Sequence, residues 1–200
     1  MAMTTFPAPV ADGVNRVVAG AAGCDLGSPT PCPDFDLKTL VNHLIGTTAA
    51  LARVGRREPL DATDPYGARR DATGGNWQQV LSSNIDELAR TWGDPGAWQG
   101  SVEMSGLAMA APMIGEMAVA EVALHGWDLA TATGQQLVLD EEVALELLRS
   151  IEETGELGRR MGAYGPEVVP DADATAFERA LAAAGRNPRQ GVVDQFRQDV

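Results

Sequence analysis

Residues 112–133, PMIGEMAVAEVALHGWDLATAT, decide the fold. Pro112 stands where a first helical turn tolerates it, since the N–H it lacks has no partner there anyway. Gly134 follows as a normal helix stop. Between them apolar residues dominate, so this helix must be buried by its neighbours rather than laid on a surface. Those neighbours read from the same chain. Val10, Val14, Val17, Val18 and Ala21 recur at helical spacing over residues 8–22. Asp36 is placed to cap a helix over 37–55, whose apolar face holds Leu37, Leu40, Val41, Leu44, Ile45, Thr48 and Leu51. A third amphipathic helix spans 76–92, with Trp77, Val80, Leu81, Ile85, Leu88 and Trp92 inward.

The connections are long and irregular. Residues 28–36 hold three prolines, and 56–75 are rich in charge, Gly and Pro. Residues 101–110 alternate briefly, which fits a short hairpin or an irregular crossing. An acidic helix at about 140–154 and a last one at about 173–184 complete the chain. Strand signal is scarce, so the fold is mainly α, a helical bundle. The expected division is a bundle over residues 1–136 and a C-terminal extension over 137–200, packed as one compact unit.

Composition narrows the function classes. The chain has 200 residues and a formal net charge of −13. That charge argues against nucleic acid, where affinity comes from neutralising phosphates, and against an anionic membrane surface. No apolar run spans a bilayer, and the N-terminus lacks the pattern of a signal peptide. The expectation is a soluble cytoplasmic protein. Two cysteines, Cys24 and Cys32, are too few for a disulfide scaffold.

The two histidines carry the chemistry. His43 lies at the rim of the apolar face of the second helix. His125 lies on the apolar helix, four residues after Glu121, so the two share one helix face. A glutamate buried on such a helix is costly unless paired or bound to a cation. His43, Glu121 and His125 together make three ligands with an open fourth position, the pattern of a catalytic zinc site. Asp128, one turn on, either orients His125 or is a further ligand. The plainer reading is that both histidines are satisfied core residues and that Glu121–His125 is a helix contact. Arg56–Arg57 and Arg69–Arg70 could grip an anionic substrate near the bundle mouth, though solvated surface is the plainer reading. Cys32 could be a reactive thiol, with a small buried side chain the plainer reading. Trp77, Trp92, Trp98 and Trp127 read as core or pocket wall.

TPCPDFDLKTLVNHLIG (30–46) resembles the TPCPxWxxxDLVxHLxG opening of the actinobacterial mycothiol-dependent maleylpyruvate isomerase family, of the DinB-like metal-binding superfamily. EVALHGWDLATATGQ (121–135) resembles that family's second signature. GPEVVPDADATAFERALAAAGRNP (165–188) is similar to the ending of a subgroup. The resemblance implies a DinB-like four-helix bundle, up-down-down-up, with a short C-terminal helical extension. It implies His43, Glu121 and His125 as ligands of a divalent metal, most often zinc. Phe35 departs from the family's usual Trp. The resemblance also implies that true maleylpyruvate isomerases carry a longer, distinct C-terminal domain with a substrate-binding arginine. This chain is short there, and that arginine is not mapped onto Arg159, Arg160 or Arg186.

The reading that follows is thiol chemistry. A metal-bound thiol, mycothiol as cosubstrate, becomes a thiolate nucleophile toward a small electrophilic substrate. An isomerase would add it to an activated cis double bond and expel it after rotation. An S-transferase would leave it attached. The alternatives are a metal-dependent hydrolase with Asp128 as base, and a non-catalytic metal-binding module. A homodimer is open in each case.

Overall fold

The computed structural model describes residues 6–60, 63, 66, 71–104 and 106–190. Six helices and one hairpin are present among them: α1 (Pro7–Gly20), α2 (Leu37–Gly55), α3 (Trp77–Gly93), β1 (Ser101–Met104), β2 (Leu107–Ala110), α4 (Ala111–Ala132), α5 (Glu141–Arg160) and α6 (Ala176–Ala183). The molecule is mainly α, as the periodicity requires.

The first four helices form the bundle. α1 and α2 each pack on both α3 and α4, which puts α1 and α2 at opposite corners. α5 then packs on α4, and α6 on α5. α4 therefore has neighbours all round, which is why it is apolar on every side. Its Ile114, Ala118, Ala123 and Leu129 are completely buried. Close approach of α1 to α4 depends on Gly126, where a Cβ would stand 2.5 Å from Val14 Cγ2.

Local signals explain most boundaries. Asp36 caps α2, its Oδ1 accepting from the Thr39 N–H at 2.8 Å. Gly134 ends α4's last turn at φ 67°, a left-handed conformation that glycine adopts without a Cβ penalty. Residues 101–110 are a hairpin rather than an irregular crossing, paired from Ser101↔Ala110 to Met104↔Leu107. Val102 and Met104 face the core while Ser101 and Glu103 face out.

Two ends differ from expectation. α5 continues to Arg160, past the expected end near 154. Gly158 has a packing reason, because a Cβ there would meet the Tyr164 ring at 2.4 Å. α6 starts at Ala176, not 173. Thr175 and Glu178 cap it reciprocally: Thr175 N–H donates to Glu178 Oε2 at 2.7 Å, and Glu178 N–H donates to Thr175 Oγ1 at 3.2 Å.

Candidate metal centre

The loop before α2 is tightly folded. Leu37 N–H donates to Ser28 O, and Lys38 N–H to Leu26 O, each at 2.9 Å. Thr30 Oγ1 donates to Phe35 O at 2.7 Å. This fixes Phe35 beside two imidazoles, its ring centroid 4.9 Å from that of His43 and 5.8 Å from that of His125. The aromatic position of the first signature is thus a wall of the site.

α2 presents His43 and α4 presents Glu121 and His125 to one point. Glu121 Oε1 lies 2.5 Å from His43 Nε2 and 3.6 Å from His125 Nε2. The two imidazoles meet edge to face, 75° apart with centroids at 4.9 Å. One donor atom from each of the three residues lies within 4.8 Å of the others. Burial deepens across the set, from 31% side-chain exposure at His43 to 21% at Glu121 and 11% at His125. Burial alone would raise the Glu121 carboxyl; the neighbouring His125, His43 and, further off, Arg186 outweigh it and bring it down to about 2. Glu121 is therefore a carboxylate at neutral pH.

Asp128, completely buried, sets the orientation of His125. Its Oδ2 lies 2.8 Å from His125 Nδ1. Burial works against its charge, but hydrogen bonds from His125 and Arg186 hold its carboxyl below the usual range. An ionised carboxylate only accepts, so Nδ1 of a neutral His125 carries the proton and donates it to Asp128. Nε2 is then the ring nitrogen turned to Glu121 Oε1, 3.6 Å away. Two imidazole nitrogens and a carboxylate converging in a half-buried site are a donor set that suits a divalent metal. On the His43 ring, Nδ1 lies 3.5 Å from Thr47 Oγ1.

Asp128 also receives Arg186. Nε reaches Oδ1 at 3.1 Å and Oδ2 at 3.2 Å, and Nη2 reaches Oδ2 at 2.8 Å. Nothing in the spacing of residues 165–188 marks this contact. Tyr164, also unmarked, is buried with its hydroxyl 3.3 Å from Thr154 Oγ1. A second cluster, Cys32 with His125 and Asp128, shares residues with the first. Its Asp128 oxygens are already taken by His125 and Arg186, and burial pushes the Cys32 thiol up, toward its neutral form. Both cysteines are free.

The other sequence candidates fall elsewhere. Arg56 pairs with Glu58 at 2.8 Å and with Glu87 at 2.6 Å, and Arg57 donates to Gln99 O at 2.6 Å. Arg69 and Arg70 lie outside the described residues. Trp77, Trp92, Trp98 and Trp127 are all buried. Trp127 also lines a cavity of about 630 Å³ with Thr131, Leu137, Phe177 and Leu181. Two residues along a helix turn the side chain by about 200°. The Trp127 side chain thus leaves α4 on another side from His125, and none of the three donors lines the cavity.

Residues 8–130 match the family model described as the mycothiol maleylpyruvate isomerase N-terminal domain. The chain belongs to that family. The matched span holds His43, Glu121, His125, Asp128 and Phe35, and ends before Arg186. Two uncharacterized proteins of Mycobacterium tuberculosis, from strains CDC 1551 and H37Rv, are each 25% identical over 139 residues. The alignment covers 68% of this chain and 70% of each relative. No solved structure matches. Among the described residues, no helix is long and apolar enough to cross a membrane.

Proposed function

We propose that this protein is a zinc-dependent enzyme of thiol chemistry, an isomerase or S-transferase that uses mycothiol on a small electrophilic substrate. The observation that carries the reading is the convergence of His43 Nε2, His125 Nε2 and the Glu121 carboxylate on one point. These three would hold the metal. A zinc ion so held supplies a lowered pKa to a coordinated thiol. Asp128 keeps the His125 tautomer that leaves Nε2 free, and Phe35 shields the two imidazoles on one side. The family supports the thiol half of the reading. We further infer a cytoplasmic protein whose partners are small molecules, with no nucleic acid and no membrane, as monomer or homodimer.

The geometry around Asp128 weighs against both alternatives. A hydrolase needs a base free to take a proton from water, and Asp128 is fully buried between His125 and Arg186. A closed structural site needs a fourth protein ligand. Asp128 is turned to the Nδ1 side of His125, opposite the Nε2 that faces Glu121.

The test is turnover of maleylpyruvate and of a generic electrophile by metal-loaded protein, with and without mycothiol. Turnover that requires the thiol is the expected result. Thiol-independent hydrolysis would transfer the protein to the hydrolases, thiol-independent isomerisation would overturn the mycothiol half of the reading, and no turnover under either condition would leave the non-catalytic module.

A further inference from the structure

We infer that Arg186 is a positioning residue for the candidate metal centre, supplied from beyond the family-matched span, which holds His125 in register through Asp128. The inference rests on the metal reading above. It starts from the cost of Asp128, a carboxylate with no exposed surface on a largely apolar helix. Such a group persists only when its lone pairs are taken. His125 Nδ1–H takes one. Arg186 takes the rest with two guanidinium nitrogens, its side chain only 10% exposed. A planar guanidinium straddling a carboxylate fixes the carboxylate plane, which a point charge cannot do. The carboxylate plane in turn sets the direction in which the His125 ring is held.

The chain is built to deliver this side chain. After α6, Gly185 N–H donates to Ala182 O at 3.0 Å and Arg186 N–H to Leu181 O at 2.9 Å. This pair of bonds closes the helix through a left-handed residue, and Gly185 has φ 85°. A Cβ on Gly185 would lie 2.6 Å from Gly165 Cα, so the turn is pressed against the backbone of residue 165. The residue just past this turn is Arg186, and it points back 58 positions to Asp128 on α4.

Three measurements on the full chain test the role: cobalt affinity by chelator competition, the visible spectrum of bound cobalt, and the His125 tautomer by ¹⁵N NMR at fixed pH. With only two histidines in the chain the ring signals are readily assigned. Arg186→Ala is expected to weaken cobalt binding by roughly 10–100-fold, the usual effect of losing a group that orients a ligand. It should also shift the cobalt bands and mix the His125 tautomers. Arg186→Lys should fall between Ala and wild type. Arg189→Ala is the control, since Arg189 pairs with Asp171 at the surface, and should change nothing.

Wild-type affinity, spectrum and tautomer in Arg186→Ala would overturn the role. If that variant does not fold, Arg186→Lys decides the matter, and wild-type values in it would count against positioning. A wild-type protein that binds no cobalt would overturn the metal reading alone. The tautomer measurement, which needs no metal, would still decide whether Arg186 positions His125.

Discussion

Zinc should stabilise this protein by an amount that His43 controls. Glu121 and His43 are 78 residues apart in sequence, yet their donor atoms are 2.5 Å apart in the fold. An unfolded chain must close that loop before the donors meet, so the metal binds the native state far better than the unfolded one. At free zinc 100 times the dissociation constant, such selective binding adds about 2.7 kcal/mol. A domain of this size gains roughly 2–4 °C in Tm per kcal/mol. The expected rise is therefore about 5–11 °C, read by calorimetry or dye fluorescence against protein held in chelator. His43→Ala removes one donor of three from a side chain that is 31% exposed at the edge of the core. Its metal-free Tm should fall somewhat, because Glu121 loses its His43 partner, while the zinc-induced rise, taken from the variant's own metal-free Tm, falls to a small fraction. A wild-type protein indifferent to zinc, or an equal rise in His43→Ala, would refute the reasoning.

Three further outcomes follow from packing and charge. Gly126→Ala should cost roughly 1–3 kcal/mol in urea unfolding, because its methyl would press into Val14; no change would mean α1 and α4 can separate freely. Asp128→Ala should cost roughly 3–5 kcal/mol, since it strands the buried Arg186 without a partner; a loss below about 1 kcal/mol would show the pair to be solvated. Burial raises the Glu116 carboxyl despite its 3.2 Å bond to Arg149. A folded carboxyl pKa above the unfolded one adds stability that is full below the unfolded pKa and is lost as pH rises through the folded pKa. Glu116→Gln should therefore match or exceed wild-type stability at pH 7 and lack that part of the pH dependence. A less stable Gln variant at pH 7 would mean that the Arg149 ion pair wins.

The bundle was legible where local chemistry and long-range packing agree. Asp36 announces α2, and the mostly apolar stretch between Pro112 and Gly134 announces α4. The three donors were legible because Glu121 and His125 share a helix face and both histidines lie inside recognisable signatures. Arg186 was not, because its partner is 58 residues away and the glycine turn that aims it looks like any helix end. Phe35 reads as a mere departure from Trp, and only the folded loop shows that its ring touches both imidazoles. α5 runs past the expected end near 154, through Gly155 and Gly158. At Gly158 the missing side chain is what lets Tyr164 lie against the helix.

The central claim is that His43, Glu121 and His125 hold one metal ion. Anomalous scattering at the zinc edge, from crystals grown with zinc and no chelator, tests it most directly. The account predicts one strong peak per chain, roughly 2.0–2.2 Å from Nε2 of both histidines and from a Glu121 oxygen. A peak on Cys32 and Asp128 instead, or no peak among these residues at saturating zinc, would contradict it.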